Sequence, residues 1–194
     1  MKKLIDLKQL TNTKYLNFFD AEYLGDEKNS YHYYFASRRK VEDLSVNNTS
    51  KIYADAVRIL PYYKKDNQIY VVLIKEFRHP LNRYIYSTPA GCIDEGEEPI
   101  KSAIRELKEE TGATVKSIVQ VSPPAYSSAG LTDETIVVFE AEVELGGMQE
   151  LGETEEIFVE SVLLKDIPSF IQSHEFGYQS QMHLLMFYYK NLKE

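Results

Sequence analysis

The stretch from 99 to 112 constrains the fold of this chain more than any other. It opens on Pro99, which suits the first position of a helix, and it closes on Gly112, a typical helix stop. Ala103, Ile104 and Leu107 give the segment an apolar face to bury. We therefore predict a helix over Pro99–Thr111 that packs against a sheet.

Three glutamates crowd another sector of this helix. Glu106 and Glu110 are four residues apart and Glu109 is three from Glu106, so their carboxylates repel one another unless a cation pairs them. Mg²⁺ is such a cation, because it takes oxygen ligands and is held by few carboxylates together with substrate phosphates. The alternative is a solvated helix face on which neighbouring Lys and Arg side chains pair with the glutamates, an arrangement that is common and weak.

Strand patterns surround the helix. Alternating apolar residues at 19–23 and 31–35, across a polar turn at 25–30, predict an N-terminal antiparallel β-hairpin with one buried face. The polar stretch at 42–50 is interpreted as a linker, and the apolar run at 68–74 predicts a strand covered on both faces. Further strands are predicted at 52–60, where Pro61 ends the strand, and at 84–88, 117–121, 135–143 and 157–163, with a last helix at about 179–191. Strands mixed with a few helices predict an α/β sandwich.

Charge and composition exclude several classes of protein. The formal net charge of -8 argues against sequence-independent nucleic-acid binding, which depends on Lys and Arg. No apolar run reaches the roughly 20 residues of a membrane span or opens the chain at signal length, so we expect no membrane partner and a cytoplasmic location. Cys92 is the single cysteine, which excludes an intrachain disulfide and fits a reducing compartment.

The segment at 91–112, GCIDEGEEPIKSAIRELKEETG, resembles the Nudix box of the Nudix hydrolases. The charged and glycine positions of that box are filled by Gly91, Glu97, Arg105, Glu106, Glu109, Glu110 and Gly112, with Leu107 in its aliphatic slot. Ala113 is smaller than the usual residue after the last glycine, which concerns packing. The resemblance implies the Nudix fold, an α/β/α sandwich around a mixed β-sheet.

The same resemblance implies roles for these residues. Glu106, Glu109 and Glu110 would bind Mg²⁺ or Mn²⁺, and Arg105 would hold their carboxylates in place. Glu97 would brace the loop before the helix, and Gly91 would permit a tight turn. The metal would polarise a diphosphate and lower the pKa of an attacking water.

The flanks of the box resemble the ADP-ribose pyrophosphatase subfamily. They read EFRHP at 76–80, PAG at 89–91 and GLTDE at 130–134. In that subfamily the Ala90 carbonyl would be a further metal ligand, and Arg78 would bind a substrate phosphate through its bidentate guanidinium. A surface salt bridge with Glu76 or another carboxylate is the alternative for Arg78.

A loop glutamate often serves that subfamily as the general base. Glu155 fits best, because EEIFV at 155–159 resembles the family's Glu-Asp-Ile-x-Val, and Glu153 is the second candidate. A solvated acidic loop is as good an explanation for either one.

The implied reaction is hydrolysis of a nucleoside diphosphate sugar, with ADP-ribose split to AMP and ribose 5-phosphate as the first candidate. Ser87 and Ala129 depart from the subfamily, which usually has Glu and Pro there, so other ADP-sugars stay open. NADH, dinucleoside polyphosphates and mRNA caps are further alternatives, and so is a non-catalytic sensor of nucleotide sugars.

Two parts of the chain are predicted. Residues 1–50 would form the hairpin segment and 51–194 the Nudix domain. Subfamily members are homodimers with exchanged N-terminal strands, so we expect a homodimer in which aromatic residues stack on the base. The candidates for stacking are Tyr23, Tyr31, Tyr33, Tyr34 and Phe35; the alternative for each is a place in the core.

Overall fold

The computed structural model describes residues 2–25, 29–48 and 53–192. It contains strands β1 (Lys3–Gln9), β2 (Asn17–Leu24), β3 (Ser30–Ser37), β4 (Ala56–Lys65), β5 (Gln68–Arg78), β6 (Arg83–Ser87), β7 (Ala90–Cys92), β8 (Thr114–Gln120), β9 (Ala125–Tyr126), β10 (Thr135–Glu144) and β11 (Ile157–Leu163). The helices are α1 (Pro99–Thr111), α2 (Ile167–Ser173) and α3 (Tyr178–Asn191). Among the described residues no helix has the length and hydropathy that crossing a membrane requires.

The chain forms two compact units. The first comprises Met1–Asp55 and Pro124–Ile136, and the second comprises Ala56–Pro123 and Val137–Glu194. Strand β10 therefore begins in the first unit with Thr135 and Ile136, and its remainder belongs to the second.

The first unit holds a three-stranded antiparallel sheet in the order β1-β2-β3. The predicted hairpin is β2 and β3, with Tyr23 opposite Tyr31 and Phe19 opposite Phe35. Phe19, Ala21 and Phe35 are buried as the alternation predicted, whereas Tyr31 and Tyr33 are exposed. The prediction of a buried face is thus correct only for the end of the hairpin that packs on a core.

The predicted linker is wrong in part. Leu44 is fully buried and packs with Phe19, Ala21 and Phe35, and a 3-10 helix, Val41–Asp43, precedes it. One apolar side chain in a polar stretch is enough to anchor the segment to the core. Thr49 and Ser50, at the end of the predicted linker, lie outside the described residues.

The second unit is built on a sheet in the order β11-β5-β4-β10-β8, with β6 paired to β5 and β7 paired to β4. Val71–Ile74 are four consecutive buried residues, so β5 is covered on both faces as predicted. Val71 and Leu73 belong to the core formed with α2 and α3, and α1 packs on β4, β7 and β8. The α/β class and the sandwich with its mixed sheet are confirmed.

Several element boundaries differ from the prediction. Pro61 does not end its strand: β4 continues through it to Lys65, and the ladder to β5 begins one residue later, at Tyr62. Proline is tolerated there because it lacks only the N–H donor of a ladder bond. The part of that predicted strand at Ile52 lies outside the described residues. Helix α1 and strand β11 have the predicted bounds.

Candidate active site

Helix α1 carries the centre of the site. Pro99 occupies its first turn, and Gly112 ends it in the left-handed conformation with φ of 66°. Ala103 and Leu107 are fully buried as predicted, whereas the prediction is wrong for Ile104, which is exposed because it lies at the edge of the buried face. These end residues and buried contacts stabilise α1, so the helix holds Glu106 and Glu110 in fixed positions.

Glu106 and Glu110 are both withdrawn from solvent. Glu110 is 6% exposed and accepts a hydrogen bond of 3.1 Å from the Ala90 backbone N–H. Burial raises the pKa of Glu110 well above its usual range, and the charges of Glu106 and Glu76 raise it further. Burial also raises the pKa of Glu106, which the Arg105 guanidinium opposes. The chain holds these carboxylates where an added positive charge would be favourable.

Gly91 is needed for the position of Glu106. A Cβ built on Gly91 would lie 2.0 Å from the Glu106 carboxyl carbon, so the carboxylate rests on bare backbone. Any side chain at 91 would displace the Glu106 carboxylate. Glycine is thus required at position 91 because the Glu106 side chain approaches the backbone closely, and not because the chain makes the predicted tight turn.

Arg105 organises the carboxylates beside it. Its Nη1 donates to Glu106 Oε1 at 2.7 Å and to Glu109 Oε2 at 3.0 Å, and its Nη2 donates to Glu97 Oε2 at 3.0 Å. Hydrogen bonds from Arg105 and Ser102 lower the pKa of Glu97 to about 2. Arg105 therefore lies between the Glu97 carboxylate and those of Glu106 and Glu109.

A cavity of about 460 Å³ lies beside the helix and brings together several predicted residues. It is lined by Arg78, Ala90, Glu110 and Glu155, together with Glu76 and Tyr84. Burial is the main cause of the raised pKa of Glu76, Glu106 and Glu110, and the charge of Glu155 raises the pKa of all three further. Glu155 Oε2 accepts a hydrogen bond of 2.9 Å from the Gly152 N–H.

Four of the predicted metal-binding and catalytic residues do not line this cavity: Arg105, Glu106, Glu109 and Glu153. Glu153 is exposed and is not among the lining residues, although it belongs to the same loop as Glu155. Glu109 is directed to Arg105 and its side chain is 35% exposed. The loop assignment therefore favours Glu155, and a role for Glu109 requires it to leave Arg105.

The carboxylates do not form a closed cage. Within the described ranges no three His, Cys, Asp or Glu side chains already converge on a point that could hold a metal ion. Glu106 and Glu110 nevertheless fit a hard cation, because both are acidic and largely withdrawn from solvent, and the charge of Glu106 adds to the effect of burial in raising the pKa of Glu110. Such a pair would be completed by oxygen ligands from substrate and water.

Sequence reasoning missed two contributors to the site. Glu76 was given no role of its own, yet it lines the cavity and its side chain is only 13% exposed. The segment at 147–150 covers the end of α1, where the Gln149 side chain donates to Glu110 O at 2.6 Å and Glu150 N–H donates to Glu109 O at 2.8 Å. Glu76 could have been found from the sequence, because residues 76 and 78 are two apart on a strand and therefore lie on the same face. No local sequence pattern indicates the position of the segment at 147–150.

Comparison with known proteins decides the family. The sequence model of the NUDIX domain matches residues 52–179. The chain belongs to the NUDIX domain family. The matched residues include the Nudix box at 91–112, which forms α1 and the turn before it and carries the clustered carboxylates.

Named relatives point in one direction. Over 108 residues the chain is 42% identical to an ADP-ribose pyrophosphatase of Bacillus subtilis (strain 168), covering 54% of this chain and 57% of that protein. Over 117 residues it is 32% identical to an ADP-sugar pyrophosphatase of Mus musculus, covering 60% of this chain and 53% of that protein. The matched region thus spans little more than half the length of these relatives.

A solved structure shares the Nudix fold. The crystal structure of an ADP compounds hydrolase superposes with a TM-score of 0.75 at 16% sequence identity, covering 98% of this chain and 95% of that chain. At this identity the likeness concerns the fold alone.

Proposed function

We propose that the chain hydrolyses the diphosphate bridge of a nucleoside diphosphate sugar, with ADP-ribose split to AMP and ribose 5-phosphate as the first candidate. The observation that carries the proposal is the cavity in which Glu110 and Ala90 face Arg78 and Glu155. It combines acidic groups for a cation, a guanidinium for a phosphate and a loop carboxylate for a proton. The names of the Bacillus and mouse relatives support the substrate class.

The metal would be held by Glu106, Glu110 and the Ala90 carbonyl. Glu109 would become a further ligand if its carboxylate left the hydrogen bond with Arg105. Mg²⁺ suits this site because it is held by few carboxylates plus substrate phosphates, and Mn²⁺ is the alternative. Bound there, the cation supplies Lewis-acid polarisation of the diphosphate and a more acidic water. Arg105 keeps the Glu106 carboxylate oriented through its 2.7 Å hydrogen bond.

Arg78 and Glu155 would act on the other wall of the cavity. Arg78 would bind a phosphate of the substrate, because its guanidinium lines the cavity and can donate two parallel hydrogen bonds. Glu155 would accept the proton of the attacking water, which needs a carboxylate within hydrogen-bond reach of that water. Glu153 is the second candidate for this role, and it would require a movement of the loop.

The substrate preference is left broader than ADP-ribose. Ser87 replaces the usual glutamate and forms hydrogen bonds with Arg58 Nη1 at 3.1 Å and Ser180 Oγ at 3.1 Å. This position is therefore satisfied by a different polar network, which is compatible with other ADP-sugars. Ala129 lies in the first unit and lines a cavity of about 320 Å³ together with Tyr23, Tyr33 and Phe35.

We also propose a homodimer that depends on residues 1–50, and a cytoplasmic location. Phe18 and Tyr34 stack on the outward face of the first sheet with centroids 6.0 Å apart, and both are exposed. An exposed aromatic pair is typical of an interaction surface. Cys92 is the single cysteine and is exposed, so the chain has no intrachain disulfide, which favours a reducing compartment.

The decisive experiment is a screen of nucleoside diphosphate sugars, NADH and dinucleoside polyphosphates with Mg²⁺ and Mn²⁺. Products would be identified in ¹⁸O water, which also shows the phosphorus that is attacked. We expect cation-dependent release of AMP from ADP-ribose. Tight ADP-ribose binding without hydrolysis under either cation would instead favour the nucleotide-sugar sensor.

Glu110→Gln tests the assignment of the metal ligands. The amide keeps the shape of the buried side chain and removes its charge, so we expect turnover to fall by about 100-fold or more and Mn²⁺ affinity to fall with it. Glu98→Gln is the matched control, because Glu98 lies at the start of the same helix, is exposed and pairs with Lys101 at 3.3 Å. Full activity in Glu110→Gln would show that the metal ligands are assigned wrongly.

A further inference from the structure

The end of β5 carries two charged residues on one face. Glu76 and Arg78 are two positions apart, and side chains two apart on a strand project to the same side. Both line the cavity of the candidate site. Arg78 Nη2 lies 2.5 Å from Glu76 Oε1, so the two side chains form an ion pair.

The two partners differ in freedom. The Arg78 side chain is 44% exposed, whereas that of Glu76 is 13% exposed. An arginine side chain in solvent loses rotamer entropy when it is fixed. A buried carboxylate at its side therefore does more to restrict Arg78 than Arg78 does to restrict Glu76.

Polar groups of the same unit stabilise the ionised Glu76 carboxylate. Burial raises the pKa of Glu76, and the positive charge of Arg58 and the nearby Ser87 side chain oppose this shift. Arg58 is itself fixed, because its Nη1 donates to Ser87 Oγ at 3.1 Å and to Ser180 Oγ at 2.6 Å. Ser87, which departs from the subfamily pattern, thus belongs to the support of Glu76.

We propose that Glu76 is a positioning residue, which holds the Arg78 guanidinium in the cavity in the orientation that receives a substrate phosphate. This inference rests on the proposed function, in which Arg78 binds that phosphate. Arginine has five N–H donors, and the contact with Glu76 engages Nη2. Nη2 carries two N–H groups, so the second of them can still act with Nη1 or with Nε to donate two parallel hydrogen bonds to a phosphate.

The same contact has an opposing electrostatic effect. A carboxylate beside Arg78 cancels part of the positive charge that attracts a phosphate. Removing Glu76 would therefore strengthen phosphate binding if charge dominates, and weaken it if positioning dominates. The direction in which phosphate affinity changes therefore shows whether the charge of Glu76 or its positioning effect dominates.

The experiment measures ADP-ribose binding by calorimetry in EDTA, and KM and kcat with Mg²⁺, for Glu76→Ala, Glu76→Gln, Arg78→Ala and the double variant of Glu76→Ala with Arg78→Ala. We expect Glu76→Ala to raise Kd and KM by about 3- to 10-fold, the cost of ordering one long side chain, with kcat changed less. Glu76→Gln keeps an oxygen facing Nη2 and should fall between wild type and Glu76→Ala. In the double variant Glu76→Ala should add nothing to the loss caused by Arg78→Ala.

A second readout needs no ligand. The ¹⁵N relaxation of Arg78 Nε by NMR should show increased mobility in Glu76→Ala. The matched control is Glu175→Ala, which removes the partner of Arg83 in an exposed ion pair of 2.9 Å and should leave Kd unchanged.

The outcomes distinguish the two proposals. If wild type binds and hydrolyses ADP-ribose but both Glu76 variants bind it as tightly or more tightly, the positioning role is wrong and the proposed function stands. If wild type neither binds nor hydrolyses any of the nucleotides, the proposed function fails and the positioning role fails with it. Unchanged Arg78 mobility in Glu76→Ala would also overturn the positioning role.

Discussion

The backbone at Gly91 supports the Glu106 carboxylate directly, and this contact can be tested with a single methyl group. The Cβ of Gly91→Ala would meet the carboxylate at 2.0 Å and push it away from its place beside Glu110. We expect turnover and Mn²⁺ affinity to fall by about 10- to 100-fold, as for other losses of ligand orientation. Gly177→Ala is the control, because nothing lies within 4 Å of the added Cβ there. Equal losses in both variants would refute the explanation.

His183 provides a test that does not involve the active site. Burial, followed by the charges of Arg58 and Lys190, lowers its pKa from 6.5 to about 4. Glu140 Oε1 lies 4.0 Å from His183 Nε2 and would favour protonation, but Lys190 pairs with Glu140 at 2.8 Å and weakens that effect. The neutral form is therefore the one that the fold accommodates.

The sign of the pH effect follows from linkage. Below pH 6.5 the unfolded chain takes up the proton and the folded chain resists it until about pH 4, so stability falls as the pH is lowered through this window. The loss amounts to about 3 kcal/mol over the whole window. Urea unfolding of His183→Gln should show a weaker dependence on pH between these values; an unchanged dependence would contradict the assignment.

At the level of elements, the end of α1 is completed by a distant segment. The last carbonyls of a helix lack partners within it, and here Gln149 Nε2 donates to Glu110 O at 2.6 Å and to Ile157 O at 3.1 Å. Gln149→Leu leaves both carbonyls without this donor, so we expect a loss of about 1–3 kcal/mol in the free energy of unfolding by urea. Glu150→Ala removes only an exposed ion pair with Lys108 and should cost less than about 1 kcal/mol. A Gln149→Leu protein as stable as wild type would exclude the capping role.

The sequence was most informative where structure is local. Helix α1 was predicted to the residue because proline, glycine and helical spacing all act within a few positions. Strand β1, the two-residue β9 and helix α2 were missed. Short elements with mixed exposure carry no periodicity of their own, and tertiary pairing decides them.

The same limit applies to the candidate site. Glu106, Glu109, Glu110 and Arg105 could be grouped in advance because one helix carries them. Glu76 could not be joined to them from the sequence, because its place depends on strand β5 running beside β6 and on α1 packing on the sheet. Likewise, the path of the loop determines that Glu155 lines the cavity and Glu153 does not, and the sequence does not reveal that path.

At the scale of the whole molecule, the proposed homodimer can be measured directly. Light scattering should give a mass twice the 22.5 kDa of the chain. A charge in the exposed aromatic pair should weaken the dimer, so we expect Tyr34→Glu to shift the mass toward the monomer. Tyr178→Glu is the control, since Tyr178 is also exposed but belongs to the second unit. A monomeric wild type would exclude the dimer.

Gly112 and Gly147 are in mutual contact, because a Cβ on either would lie 2.3 Å from the carbonyl oxygen of the other. The two positions are therefore constrained jointly, and neither can accept a side chain while the other backbone stays in place. This has a consequence for protein engineering. A graft of residues 91–112 into another scaffold would transfer the carboxylates and the arginine, but it would also need a bare backbone where Gly147 lies. The host protein must have a backbone segment without a side chain next to Gly112, as Gly147 provides here, or the transplanted helix cannot end in its native conformation.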